Sequence, residues 1–166
     1  MAESLWRHRG AGCPDFNMKI ADLLSPDRVV AGLIISSKKR LLEHVSEMIA
    51  RDCPELSADE IFEGLFARER LGSTGLGEGV AIPHGRIKGA RKVMGGFVQL
   101  HKPIDYDAMD KRPVDLLFCL VVPEASTEEH LQVLAALAEL FSNKGLCQQL
   151  REAKDSSSLY RLLTQA

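Results

Sequence analysis

The chain has 166 residues, 45% hydrophobic and 27% charged, with 21 Lys plus Arg against 23 Asp plus Glu for a net charge of −2. That length fits one domain, and about 70% of the surface of an unfolded chain of this size is buried on folding, so neither metal nor disulfide is needed to hold a core. The charge balance argues against a general nucleic-acid binder, and an aromatic content of 5% leaves little for a base-stacking platform.

Residues 1–17 mix Gly, Pro, Arg and Asp without periodicity and read as a disordered extension, so a single domain is expected over 18–166. The N-terminus lacks the apolar run of a secretory signal, and no stretch reaches the 18 apolar residues of a membrane span. The four cysteines, Cys13, Cys53, Cys119 and Cys147, make no C-x-x-C pair, which fits a reducing compartment and a cytoplasmic location. From Met18 the pattern improves through MKIADLLSPDRVV. With Ser36 or Ser37 as N-cap, Leu41, Leu42, Val45, Met48 and Ile49 share one face of a first amphipathic helix, which Pro54 stops. Ser57 and Glu60 form a capping box before Ile61, Phe62, Leu65 and Phe66, and this second helix ends near Gly72.

GSTGLGEG reads as a loop feeding the short β-prone run Val80–Ile82. Residues 93–100 and 115–122 are strand-like; the second run is almost wholly apolar, as a central strand covered on both faces must be. IDYDAMDKRP between them reads as a polar connection. Ser126 or Thr127 can cap a third helix with Leu131, Leu134, Leu137, Ala138 and Phe141 as its buried stripe, closed by residues 143–145. Two short helical pieces follow, over 146–153 and 157–163, the latter capped by Asp155 or Ser156. Helices alternating with strands imply an α/β layer architecture.

Chemistry concentrates in RERLGSTGLGEGVAIPHGR, residues 68–86. His84 sits between Pro83, which fixes its own φ and biases Ile82 to an extended geometry, and Gly85, which has no side chain to obstruct an approach to the imidazole. Neutral imidazole is a competent nucleophile towards phosphorus and is abundant at neutral pH. Ser73, Thr74 and Gly75, within the glycine run, can turn N–H groups and hydroxyls towards an anion, although the same glycines serve equally for tight turns. The run has no P-loop Lys and does not match G-x-G-x-x-G, which argues against a nucleotide site. A guanidinium suits an N-phosphoryl group because it offers fixed, paired donors. Arg68, ending a helix just before the glycine loop, is the best candidate, but the residues alone do not choose among Arg68, Arg70 and Arg86.

His130 falls in the first turn of the third helix, where free N–H groups and the dipole favour anions and disfavour a protonated ring. His8, His44 and His101 read as solvated or structural. Glu124, Glu128 and Glu129 lie around a helix start, where acidic residues are expected in any case, so no metal site is expected. Arg86, Lys88, Arg91 and Lys92 form a basic patch that suits an acidic or phosphorylated partner and equally a solvated face.

At LGSTGLGEGVAIPHGR the sequence resembles the type 2 EIIA domains, mannitol and fructose class, of the phosphoenolpyruvate-dependent sugar phosphotransferase system. The resemblance runs from about Met18 to Gln165 and includes PVDLLFCLVVP and EEHLQVLAALAELF. Within the family the chain is most similar to the free-standing nitrogen-related branch, EIIA-Ntr. The resemblance implies a mixed, mostly parallel sheet flanked by helices on both faces. It implies that His84 accepts a phosphoryl group, in the family at Nε2, from a phosphohistidine on HPr or its nitrogen-branch relative NPr, itself charged by Enzyme I. It also implies that Arg68 faces the phosphoryl group, that His130 is the second histidine of the site, and that Ser73, Thr74, Gly75 and Gly85 frame it, with no cofactor and no metal.

On this reading the protein is a phosphotransferase component with a phosphohistidine intermediate. Its output is binding to other proteins, which in the family include potassium-uptake regulators and sensor kinases, with no nucleic acid and no membrane insertion. The alternative is a sugar-specific EIIA that passes phosphate to an EIIB cysteine in carbohydrate uptake. Either way a shallow apolar patch is expected around His84, drawn from Val80, Ile82 and Leu131.

Overall fold

A strand covered on both faces must be apolar at nearly every position, and the run Val114–Pro123 accordingly lies in the interior of a six-stranded sheet. The computed structural model describes residues 19–126 and 129–166. The extension expected over 1–17, with His8 and Cys13, and the Thr127 cap and Glu128 lie outside the described residues. In chain order the elements are α1 (Ile20–Leu23), a single 3-10 turn (Pro26–Arg28), β1 (Val29–Leu33), α2 (Lys38–Asp52), α3 (Ala58–Arg70), β2 (Gly75–Gly77), β3 (Val80–Ala81), β4 (His84–Ile87), β5 (Met94–Ile104), β6 (Val114–Pro123), α4 (Glu129–Phe141), α5 (Lys144–Glu152) and α6 (Ser156–Gln165).

The strand order is β1-β5-β6-β3-β2, with β4 also paired to β6. β1 with β5, β3 with β6 and β4 with β6 are parallel. β2 with β3 and β5 with β6 are antiparallel, and the last is the longest ladder, so the sheet is mixed. Period-two alternation divides the core. Leu116, Phe118, Leu120 and Val122 of β6 pack with Val133, Leu137, Phe141, Leu150 and Leu159 from α4, α5 and α6. Leu117, Cys119 and Val121 pack with Leu41, Val45, Ile49, Ile61 and Leu65 from α2 and α3. Helices therefore cover both faces.

The helix starts follow side-chain chemistry. Ser37 Oγ accepts from the Arg40 N–H, Ser57 Oγ from Glu60, Asn143 Oδ1 from Leu146 and Asp155 Oδ1 from Ser158, each capping a donor the helix leaves unpaired. The Ser57 hydroxyl also donates to Glu60 Oε1, so these two side chains bond each other.

Several expectations need correction. In α4 the buried stripe is His130, Val133, Leu137 and Phe141, while Leu131 is 58% exposed. Apolar residues occur around much of this helix, and the spacing that meets the sheet starts one position earlier than expected. Asn143 caps α5 and Gly145 lies inside it, so neither closes α4 alone. IDYDAMDKRP is more than a polar connection: β5 runs on through Ile104, Tyr106 is fully buried and Ala108 is buried. β3 falls on the β-prone run expected over Val80–Ile82, whereas β1, β2 and β4 are short strands that the residue pattern does not announce.

Candidate functional site

The site begins with a close approach between α3 and β4. A Cβ added at Gly85 would meet Gly64 C and O at 2.9 Å, and one at Gly64 would meet Ile87 Cδ1 at 2.3 Å. Two residues without side chains thus let the helix lie directly on the strand, which brings the end of α3 to the start of β4. β4 pairs only with β6 among the strands described, so His84 opens an edge segment. Its backbone is fixed on both sides: the Leu120 N–H donates to Pro83 O at 2.9 Å, and the Ile82 N–H to Thr74 O at 3.0 Å. His84 is in register with Leu120, a residue of the core covered by α4, α5 and α6, and so lies on that side of the sheet.

The imidazole is half-buried, and Nδ1 lies 2.9 Å from Ile82 O. A carbonyl oxygen only accepts, so Nδ1 carries the proton and, in the neutral ring, Nε2 carries the lone pair. Burial pulls the His84 pKa below its ordinary 6.5; the bond to Ile82 O opposes this, the charges of Arg68 and His130 add to it, and Glu69 opposes it. The ring is therefore neutral at neutral pH.

The three arginines differ in their surroundings. Arg68, in the last turn of α3, donates from Nη1 to Gly72 O at 2.9 Å, and its charge acts on His84. Arg70 is exposed and lies over the Phe66 ring at 5.4 Å. Arg86 follows on β4 and is exposed. His130, in the first turn of α4, is buried and also acts on His84.

Ser73, Thr74 and Gly75 take a form that the residue pattern does not reveal. The Thr74 N–H donates to Glu69 Oε2 at 3.1 Å and its hydroxyl donates to Glu69 Oε1, so both donors serve the protein's own carboxylate. The Gly75 N–H donates to Ser73 Oγ at 3.1 Å, and Ser73 Oγ donates to Tyr106 O at 3.3 Å. Glu69 in turn pairs with Lys38 Nζ at 2.7 Å and accepts from the Tyr106 hydroxyl at 3.2 Å, while Lys38 Nζ lies 4.4 Å from the Tyr106 ring centre. Burial and the Glu69 charge push the Tyr106 phenol well above its ordinary pKa, which keeps it a donor. Sequence reasoning missed Lys38, Glu69 and Tyr106.

The expected apolar rim also changes. Val80 and Ile82 are buried, whereas the exposed large apolar residues include Leu71, Leu76, Met109 and Leu131. Leu71 follows Arg68 and Arg70, Leu76 lies in β2, Met109 follows Ala108 against Gly75, and Leu131 follows His130. Among the described residues no group of three or more His, Cys, Asp or Glu is placed to hold a metal ion, and no helix is long and apolar enough to cross a membrane.

Comparison with known proteins places these features in a family. Residues 22–166 match the profile of the phosphoenolpyruvate-dependent sugar phosphotransferase system, EIIA 2. The chain is 43% identical over 146 residues to a nitrogen regulatory protein of Pseudomonas aeruginosa, covering 88% of this chain and 95% of that one. The crystal structure of nitrogen regulatory protein IIA-Ntr from Neisseria meningitidis superposes with a TM-score of 0.82 at 43% identity, covering 87% of this chain and 99% of that one. IIA mannitol from Escherichia coli shares the fold, with a TM-score of 0.72 at 20% identity over 84% of this chain and 98% of that one.

Proposed function

The chain belongs to the EIIA 2 family of the phosphoenolpyruvate-dependent sugar phosphotransferase system, and from that premise we propose that it is a cytoplasmic phosphocarrier of the nitrogen-related branch, phosphorylated on His84. The observation that carries this reading is the bond from His84 Nδ1 to Ile82 O, which leaves the Nε2 lone pair free for phosphorus. Nε2 attacks the phosphoryl group of a donor phosphohistidine; the new N–P bond forms as the donor's N–P bond breaks, and the donor ring keeps that electron pair. His84 retains its Nδ1 proton throughout, so no proton need move. The ring becomes cationic and its bond to Ile82 O strengthens. Arg68 offsets the phosphoryl charge, His130 adds a second polar group beside it, and the backbone of Ser73, Thr74, Gly75 and Gly85 fixes the frame. Such a transfer depends on alignment and charge stabilisation.

The donor would be HPr or its nitrogen-branch relative NPr, docking on the exposed Leu71, Leu76, Met109 and Leu131. Output would be phosphorylation-dependent binding to regulatory proteins such as potassium-uptake regulators or sensor kinases; the names of the similar proteins favour this over sugar uptake. Incubation with Enzyme I, carrier and labelled phosphoenolpyruvate should place one acid-labile phosphate on the wild type and none on His84→Ala. Full labelling of His84→Ala would refute the assignment. Rapid discharge of the phosphorylated protein to a sugar EIIB would favour the transport reading.

A further inference from the structure

We propose that Glu69 is a positioning residue for phosphoryl transfer, anchoring through Thr74 the carbonyl that sets the tautomer of His84. This rests on the function proposed above. The connection is continuous and short. Glu69 Oε2 accepts the Thr74 N–H at 3.1 Å. Thr74 O accepts the Ile82 N–H at 3.0 Å, and Ile82 O accepts His84 Nδ1–H at 2.9 Å. The N–H and the carbonyl of Thr74, and those of Ile82, lie in successive peptide groups, so the coupling is positional: each bond fixes the backbone that carries the next, and the last fixes the ring nitrogen opposite the nucleophile.

The carboxylate is built to stay where it is. The Glu69 side chain is 3% exposed, and its two oxygens receive the Thr74 N–H, the Thr74 hydroxyl, the Tyr106 hydroxyl and the Lys38 ammonium. A buried charge tolerates neither a missing cation nor a missing donor, so the four partners hold one another. Those partners come from α2, the loop after α3, and the segment after β5, so one anion joins three segments, already in contact through Tyr106, to the end of the helix that carries Arg68. Gly75 lies close against Ala108, where an added Cβ would meet Ala108 Cβ at 2.8 Å, and this keeps the loop from swinging away from Tyr106. Arg68 and Glu69 are adjacent on α3, one facing the phosphoryl site and the other the anchor. A shift of the anchor therefore moves both the guanidinium and the carbonyl that holds the imidazole.

The test uses Glu69→Gln, which keeps the shape and removes the charge, and Tyr106→Phe, which keeps the ring over Lys38 and removes one donor. Asn143→Ala, which removes the α5 cap far from His84, controls for lost stability alone. Three readouts are needed: single-turnover transfer from phosphorylated carrier, the carrier concentration giving half-maximal rate, and nitrogen NMR of the His84 ring across pH in the unphosphorylated protein. Glu69→Gln should slow transfer at saturating carrier about 10- to 100-fold, with the half-saturating concentration unchanged. It should also lower the His84 titration midpoint and dilute the Nδ1–H tautomer. Tyr106→Phe should move the same readouts less, and Asn143→Ala should move none.

Folded Glu69→Gln with wild-type transfer and an unaltered His84 tautomer overturns the proposal. If Glu69→Gln does not fold, the same result for Tyr106→Phe overturns it. If the wild type itself takes no phosphate from the carrier, the proposed function fails. In that case an unaltered tautomer in Glu69→Gln refutes the anchor, and an altered one supports it.

Discussion

Gly85→Ala tests whether the contact between α3 and β4 sets the geometry of the site. The added Cβ would lie 2.9 Å from Gly64 C, 2.9 Å from Gly64 O and 3.1 Å from Leu65 N, all backbone atoms that cannot rotate aside. Restoring ordinary contact near 3.5 Å requires the helix to retreat by roughly 0.6 Å. Ile61 and Leu65 oppose that retreat because both are fully buried in the core beneath α3. Overpacking of this kind costs about 1–3 kcal/mol, which for a domain of this size lowers Tm by about 2–12 °C.

Gly64→Ala provides the comparison. Its Cβ meets Ile87 Cδ1 at 2.3 Å, the far end of a flexible side chain, and the nearest backbone atom is at 3.5 Å. A mid-helix alanine also recovers about 0.8–1 kcal/mol relative to glycine, so Gly64→Ala should stay within about 1 kcal/mol of the wild type. The retreat of α3 in Gly85→Ala also carries Arg68 away from His84. Since a 1 Å misplacement is worth roughly 100-fold in rate, transfer should slow about tenfold. Thermal and urea denaturation with single-turnover phosphorylation measure both effects. Gly85→Ala that is as stable as Gly64→Ala and transfers at the wild-type rate would refute the close-approach argument.

Two further outcomes follow. Arg68→Ala should slow transfer about 10- to 150-fold, from the loss of a charge-assisted contact of about 1.5–3 kcal/mol, with Arg68→Lys recovering only part of it; Arg70→Ala, whose side chain lies over Phe66, should transfer normally in the same assay. His84 and His44 both titrate below the ordinary 6.5, chiefly because burial disfavours the charged ring. The unfolded chain therefore binds protons more readily than the folded one, so their contribution to stability is complete above 6.5 and is lost as pH falls through the lowered folded values. The acid limb of the transfer rate should likewise lie below 6.5, and urea midpoints across pH should lose part of their acid-side fall in His84→Ala.

What could be read from the residues depended on how strongly local chemistry specified the outcome. The apolar run of β6 and the capped, periodic α2 and α3 were legible because burial on two faces and on one stripe leave clear patterns. β4 was not, since HGRI has four residues, one of them glycine, and its pairing comes from β6 rather than from its own alternation. In α4, LQVLAALAELF offers apolar residues on more than one face, and only the sheet decides that Val133 turns in and Leu131 out. His84 stood out through Pro83 and Gly85, yet the differing surroundings of Arg68, Arg70 and Arg86 emerged only with the helix laid on the strand. Glu69 gave no sign, because an acidic residue between two arginines at a helix end reads as solvated; a clue lay in the Thr74 N–H, which a buried loop must satisfy.

On the function proposed above, the charges around His84 would serve both halves of a transfer. Before phosphorylation, the Arg68 charge and His130 act with burial to keep the ring unprotonated, which preserves the Nε2 lone pair. In the phosphorylated state proposed above the same guanidinium would face an anion and stabilise it, so a feature that depresses basicity in one state would favour the product in the next. Glu69 acts in the opposite sense on the ring, raising its basicity while remaining buried and paired with Lys38. A nucleophile needs a lone pair that is free and also reactive. A nearby cation alone would secure the first at the expense of the second; the bond to Ile82 O, and to a smaller degree the buried carboxylate beyond Thr74, work against that without placing a negative charge where the proposed phosphoryl group would arrive.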